Sequence, residues 1–381
     1  MRVKLGDVCE KKIDAIKANY KGMIDYIDIA SVDNQQKIIT DTKQMTIENA
    51  PSRAKQLVFP GDILVSMVRP NLNAVALVPK ISNNVLVAST GYCVLRCLPS
   101  VDTKYVFYFC QSSAFVDELV RQATGASYPA VTANIVRDCF IPLPSLDAQR
   151  HIAAILDKVT DLIAKRQAQL DKLDELVKSR FVEMFGDLTI NNKNWHFEPL
   201  AALCDVRDGT HDSPQYTDTG YPILTSKNFT SGNIDFTNCN MISKEDFDKI
   251  NQRSKVDIGD IIMPMIGTIG SPVIVNTETP FAIKNVALIK FQHTKISNVF
   301  IKEILCSDYF QTSTMAANRG GTQKFIALGD IRKLPIPVVS LDLQTQFNLF
   351  VKQKESVSQV LMKDLAHLEV LKKSLMQQFF E

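Results

Sequence analysis

Strong charge of either sign is missing from this chain of 381 residues. Its 43 Lys and Arg against 41 Asp and Glu leave a formal net charge of +2. That excludes the strongly basic composition of many nucleic-acid binders, although a local basic surface or a basic partner can still attract phosphate. Long apolar runs are also missing. The most apolar stretch, Ile261 to Val275, is interrupted by Pro264, Gly267, Gly270 and Pro272 and is too short to span a bilayer. The first residues, MRVKLGDVCEKK, have no apolar core of the kind a secretory signal needs, so a cytoplasmic location is expected.

Recognisable catalytic chemistry is scarce as well. No GxxxxGK[ST] phosphate loop occurs, and Gly267 and Gly270 do not complete GxGxxG. No two prolines are adjacent, which excludes the Asn/Asp-Pro-Pro-aromatic signature of amino-methyltransferases. Glu10-Lys11-Lys12 is the one Glu-x-Lys, with just Asp7 upstream, which is a chance match to a nuclease core. His211 beside Asp212 reads as structural, because acid–base work also requires a positioned partner and a cleft. The eight cysteines form no paired CxxC, so zinc is not expected and the thiols read as reduced and mostly buried. No catalytic residue, metal site or cofactor is assigned to this chain.

What is present is a duplication. Pro142-Leu-Pro-Ser-Leu-Asp-Ala-Gln149 matches the end of Pro335-Ile-Pro-Val-Val-Ser-Leu-Asp-Leu-Gln344, with Ser145 falling on Ser340, 195 residues later. The same offset carries Leu170, Leu173 and Leu176 onto Leu365, Leu368 and Leu371, and Phe185 onto Phe380. Pro60-Gly-Asp-Ile-Leu-Val-Ser-Met resembles Ile258-Gly-Asp-Ile-Ile-Met-Pro-Met at an offset of 198, the small shift of a loop insertion. The chain therefore reads as globular unit, helix, globular unit, helix: residues 1–144, 145–186, 187–339 and 340–381.

Leu146 to Phe185 contains no Pro or Gly, is preceded by Ser145 as a candidate N-cap and is closed by Gly186. Its apolar positions Ile152, Leu156, Val159, Ile163, Leu170, Leu173 and Val177 step by four and three, broken at Arg166, as in a heptad seam. The second copy, Leu341 to Phe380, is less regular. Its candidate pairing residues are Val357, Leu361, Leu365, Leu368 and Leu371. Thirty to forty helical residues reach roughly 45–60 Å. Related modules tend to pack about a two-fold axis, which makes the helix pair antiparallel with a globular unit at each end. The expected fold class is α+β: two similar domains joined by two long helices forming an antiparallel coiled coil with pseudo-two-fold symmetry.

Within the units, Asp62–Val68 and Val85–Ala88 read as strands, and Lys104 to Val120 as one amphipathic helix with a counterpart near Ser297 to Phe310. Each helix leads into a polar, glycine-containing loop, Arg121 to Pro129 and Asn318 to Lys324. Arg121, Ser127 and Tyr128 in the first, and Arg319, Gln323 and Lys324 in the second, are candidate DNA contacts, since Arg suits guanine and Gln suits adenine in the major groove.

The central block Ile141-Pro-Leu-Pro-Ser-Leu-Asp-Ala-Gln-Arg-His-Ile-Ala-Ala-Ile-Leu-Asp157, running into the helix that ends Phe181-Val-Glu-Met-Phe185-Gly186, resembles the specificity subunit of type I restriction-modification systems. Asp208-Gly-Thr-His-Asp-Ser-Pro214 with Ser226-Lys-Asn228, and Gly61-Asp-Ile-Leu64 with Arg69-Pro70, are similar to elements of the family's recognition domains. The second helical block, around Phe347 and Val351, departs more from the pattern.

The resemblance implies that each unit is a target-recognition domain for half of an asymmetric bipartite DNA site, and that the helices set the gap. It adds Arg69, Asn71, His211, Lys227 and Asn228 as DNA-binding candidates. The implied partners are double-stranded DNA, two modification subunits with S-adenosylmethionine that methylate adenine, and two restriction subunits with ATP and Mg that translocate and cleave. A specificity component of another restriction class, with fused cleavage and methylation partners, and a two-headed protein-binding scaffold are the alternatives. The near-neutral charge gives the scaffold some weight, well below that of the specificity subunit.

Overall fold

A computed structural model describes the chain except residues 18, 81–83, 231, 266–270, 293 and 316–324. Two compact units result: Met1–Gln167 with Lys363–Glu381, and Ala168–Met362. Each long helix is thus divided between the two units.

In the first unit, Ile63–Ser66 is the centre strand of an antiparallel sheet between Tyr92–Leu95 and Val75–Leu77. A second sheet pairs Met23–Ile27 in parallel with Val85–Ser89, with Lys43–Thr46 and Ala54–Leu57 antiparallel on its edges. Arg2–Lys4 pairs with Phe140–Pro142, so the first residues of the unit meet the strand that feeds the long helix. The second unit repeats the plan. Asp205–Asp208, Val286–Lys290, Ile261–Pro264 and Val273–Ile274 form one sheet in that order. Tyr221–Leu224 runs parallel to Ala282–Ile283 in the other, and Phe197–Pro199 pairs with Pro335–Pro337. Helix Lys244–Ser254 has no counterpart among the described helices of the first unit.

The repeated Gly-Asp element builds the same turn twice. Gly61 and Gly259 sit at φ +93° and +89°, where a side chain is strained. The Asp62 carboxylate accepts from the Phe59 N–H at 2.9 Å, and the Asp260 carboxylate from the Asp257 N–H at 2.8 Å. Each buried aspartate also meets a cation at the end of the neighbouring strand, Arg96 just past Leu95 at 2.7 Å and Lys290, the last residue of its strand, at 2.5 Å. Removing one partner of such a pair would strand a buried charge, which explains why the element recurs as a set.

The segment predicted as one helix from Lys104 to Val120 is two, Thr103–Phe109 and Ser113–Gln122. Ser112 makes the break: its buried hydroxyl donates to the Phe109 carbonyl at 2.7 Å and accepts from the Phe115 N–H, so it caps a new helix. Its counterpart divides likewise into Asn298–Cys306 and Asp308–Met315, with the Ser307 hydroxyl on the Ile304 carbonyl at 2.6 Å.

Both long helices span 40 residues, Leu146–Phe185 and Leu341–Phe380. Ser145 and Ser340 cap them, accepting from the N–H groups of Ala148 and Leu343. Gly186, at φ +82°, ends the first, its N–H on the Val182 carbonyl. In the first unit, Leu156 and Ile152 at the start of one helix join a core with Leu375, Met376, Phe379 and Phe380 at the end of the other. In the second unit, Val177, Phe181 and Phe185 join Phe347 and Val351. Ends meet starts, so the helices pair antiparallel. Phe380 lies 5.2 Å from Tyr105, and its repeat equivalent Phe185 lies 4.6 Å from Phe300 (ring centroids). Burying each such ring contributes about 1.5–3 kcal/mol.

The covered face of Leu146–Phe185 follows the predicted steps, with Leu156, Val159 and Val177 buried and Ile152, Ile163, Leu170 and Leu173 half-buried. Arg166, which breaks the apolar series, is half-buried and pairs with Asp364 at 3.4 Å. On Leu341–Phe380, Leu361, Leu365 and Leu368 are half-buried, but Val357 and Leu371 are 50% and 46% exposed. Their neighbours Ser358 and Lys372 occupy the covered face instead. At these two positions the covered residue comes one place later than the apolar one, and Lys372 reaches the Tyr108 ring at 5.9 Å with its ammonium.

Two buried glutamines tie the helices to their units. Gln149 accepts the Asp102 N–H at 3.0 Å and donates to the Pro144 carbonyl at 2.9 Å. Gln344 accepts the Ser297 N–H at 2.7 Å and donates to the Val339 carbonyl at 3.1 Å. Asp102 and Ser297 are themselves the N-caps of helices Thr103–Phe109 and Asn298–Cys306. The Gln of the repeated Ser-Leu-Asp-x-Gln is therefore a clamp between two helix starts.

Candidate nucleic-acid interface

In the first unit, strand Ile63–Ser66 leads through Val68 to Arg69, which adopts φ +50° before the buried Pro70. The Arg69 N–H donates to the Pro129 carbonyl at 2.7 Å, and Val68 bridges Ala130. Thr124 and Ala130 exchange backbone hydrogen bonds of 3.0 and 2.9 Å, closing the intervening residues into a loop. Gly125 makes that loop possible. It has φ +102°, and a Cβ there would sit 2.9 Å from the Tyr128 carbonyl oxygen.

The result brings predicted residues together. The Arg69 guanidinium stands 4.6 Å from the centroid of the Tyr128 ring, and Tyr128 is 69% exposed. Ser127 and Asn71 are exposed on the same two loops. A guanidinium over an aromatic face is held in place and still presents donors to a base edge or phosphate. Arg121 is placed differently. It pairs with Glu118 on its own helix and lines a cleft with Arg2, Asp138 and Lys373.

Lys37 is a cation that sequence patterns did not single out. It sits between strands Val32–Asp33 and Ile38–Ile39 at φ +60°, and its ammonium donates to the Asn73 carbonyl beside the Arg69 loop. Burial, with repulsion from Lys372, pushes it down to about 8. Nothing in its sequence context distinguishes it from an ordinary surface lysine.

In the second unit, strand Asp205–Asp208 runs into Gly209, where a Cβ would lie 2.5 Å from the Ile283 carbonyl oxygen; only glycine fits this approach. Thr210 then bridges Lys284. The turn aims His211 back at its own strand: Nε2 is 2.7 Å from the Asp208 carboxylate and Nδ1 is 2.8 Å from the Asn285 side-chain oxygen. The Asn285 contact and then Asp208 hold the imidazole above its usual pKa, favouring the cation. Arg253 also pairs with Asp208, and Lys284 donates to Ser213 at 2.7 Å. The partner of His211 is thus Asp208 and not the adjacent Asp212. Thr210–Pro214, Lys249 and Arg253 line an open cleft with Asp246.

Lys227 is exposed, but Asn228 is not available to a ligand. At 3% exposure, its side-chain oxygen accepts the Thr225 N–H at 2.9 Å and its amide donates to the Asp235 carbonyl at 3.0 Å. It shapes the turn that presents Lys227, with both ends of its amide engaged inside the unit. Arg319, Gln323 and Lys324 lie outside the described residues. Among the described residues, no group of His, Cys, Asp and Glu could hold a metal ion, and no helix is long and apolar enough to cross a membrane.

Each of the two α+β units is closed by parts of both long helices and presents cationic loops of the kind that can meet DNA. The family model for the type I restriction modification DNA specificity domain matches residues 1–174 and again 192–360, and the chain belongs to that family. It is 23% identical over 295 residues to the type I restriction enzyme MjaVIII specificity subunit of Methanocaldococcus jannaschii, covering 72% of this chain and 69% of that one. It is 22% identical to the EcoKI specificity subunit of Escherichia coli, covering 62% of this chain and 54% of that one. Among solved structures, a chain from a study of assembly and conformational transition of the type I R-M system aligns over 100% of this chain and 97% of its own length, at TM-score 0.62 and 23% identity. The S subunit from M. genitalium aligns over 100% and 96%, at TM-score 0.57 and 15% identity.

Proposed function

We propose that this chain is the non-catalytic, sequence-reading subunit of a type I restriction-modification complex. Each unit reads one half of an asymmetric bipartite site in double-stranded DNA, and the antiparallel helices set the gap between the halves. Two modification subunits dock on the helical regions and bring S-adenosylmethionine for adenine methylation. Two restriction subunits bring ATP- and Mg-dependent translocation and cleavage.

One observation carries this reading: the same unit is built twice, down to the Gly-Asp ion pair and the glutamine clamp, while the loops that it presents differ. A repeated frame with divergent loops is what reading two different sequences demands. In the first unit those loops carry Arg69 over Tyr128, and in the second His211, Arg253 and Lys227.

The test is selection of duplexes from a random library by the chain assembled with its modification subunit. Two short fixed blocks at constant spacing are expected. Deleting one heptad from both helices removes about 10 Å and should shorten the spacing by about three base pairs, leaving both blocks intact. Unchanged spacing would refute the ruler, and a single block would refute the two-reader assignment.

A further inference from the structure

The first unit gathers five of the eight cysteines, Cys9, Cys93, Cys97, Cys110 and Cys139, in and around one core, and the DNA-reading function uses none of them. Two stand in a special relation. Cys9 and Cys97 bridge as antiparallel partners. The Glu10 N–H donates to the Arg96 carbonyl at 2.8 Å and the Leu98 N–H to the Val8 carbonyl at 2.9 Å. Those bonds flank the cysteines without involving them, so the two form a non-hydrogen-bonded pair. Such pairs have Cα atoms about 4.5 Å apart and side chains on one face, within the roughly 4.4–6.8 Å that a disulfide spans.

From this geometry we infer that Cys9 and Cys97 are an oxidation site, a dithiol that a peroxide converts to a disulfide closing the base of the first unit. Cys97 is partly exposed and Cys9 is 2% exposed, so oxidant meets Cys97 first. The division of acidity agrees. The Cys9 thiol beside it, and then the Thr103 hydroxyl, hold Cys97 below its usual range, while the same contact and burial push Cys9 up.

Cys97 thiolate attacks one peroxide oxygen, the O–O bond breaks, and the leaving hydroxide takes a proton as water. Cys97 is then a sulfenic acid. The Cys9 sulfur attacks the Cys97 sulfur and loses its proton. The S–O bond breaks, a second water leaves and the S–S bond forms. Two thiols lose two electrons, and one peroxide gains them.

The duplication supplies an internal control. Cys204 is the repeat equivalent of Cys9, but continuing the register from Asp205 opposite Lys290 sets Phe291 against it, with no thiol. The second unit cannot make the bridge.

The experiment treats the full chain, carrying Cys306→Ser to remove the exposed thiol, with hydrogen peroxide under native conditions. Remaining thiols are then blocked with N-ethylmaleimide in denaturant and the peptides are mapped. The expected result is a Cys9–Cys97 cross-linked peptide that dithiothreitol reverses, loss of two of the remaining blockable thiols, and Cys204 still blockable. Cys97→Ser should abolish the cross-link and leave Cys9 fully blockable. Recovery of Cys97 as sulfinic acid with Cys9 still blocked, or a bridge from Cys97 to Cys110, would overturn the assignment.

Discussion

Replacing Gln149 with leucine keeps the side chain's approximate size and removes its polar end. Gln149 is 1% exposed, so no bulk water stands ready to replace it. Two backbone groups lose their partners: the Asp102 N–H at the cap of helix Thr103–Phe109, and the Pro144 carbonyl just before the long helix. A buried group left unsatisfied costs about 1–3 kcal/mol, and the leucine's own apolar burial offsets part of that. A net loss of about 2–3 kcal/mol is expected, roughly 5–10 °C in Tm for a unit of this size. Calorimetry should show the transition of the first unit shifted, with the second unit's nearly in place. Gln344→Leu should do the reverse, because Ser297 and Val339 lie in the second unit. A loss below about 0.5 kcal/mol in both variants would refute the clamp, since that is the scale of an ordinary surface change.

Gly125→Ala should open the Thr124–Ala130 loop, since it adds strain at φ +102° to a contact with the Tyr128 carbonyl. Binding assays with single-base variants should then show weaker reading of one half-site and an unchanged second half-site. The raised His211 pKa gives a signed pH dependence. The stabilisation is fully present below the unfolded value near 6.5 and is lost as pH rises through the folded value. The stability difference between wild type and His211→Gln should therefore be largest below pH 6 and shrink above neutrality in urea titrations. A difference that grows with pH would contradict the imidazolium assignment. Lys227→Ala should weaken DNA binding without changing Tm, whereas Asn228→Ala should lower Tm by losing the side-chain hydrogen bonds with Thr225, Asp235 and Asn238. Equal effects of the two on Tm would contradict the division of roles.

The long helices were legible because their signals are local. An uninterrupted run without Pro or Gly, a serine cap and Gly186 mark the ends of Leu146–Phe185 without any knowledge of packing. The duplication was legible because the repeated block recurs at a constant offset. The break at Ser112 was hidden, since the apolar spacing continues across it and the decision falls to one buried hydroxyl. Val357 and Leu371 look like seam residues by type, yet register is set by the partner face, which places Ser358 and Lys372 there. Asn228 carries the side chain of an adenine reader, but its surroundings consume both ends of the amide. The joining of Arg69 to Tyr128 depends on two loops far apart in sequence, and only the fold brings them together.

The proposed role of this chain is to decide which DNA is methylated. Its most direct test is a genome-wide map of adenine methylation in cells expressing the modification subunit with and without this chain. A bipartite motif with a fixed gap that appears only when the chain is present is expected. Methylation of the same motif without it, or no new motif from a stably assembled complex, would contradict a sequence-reading role for this chain.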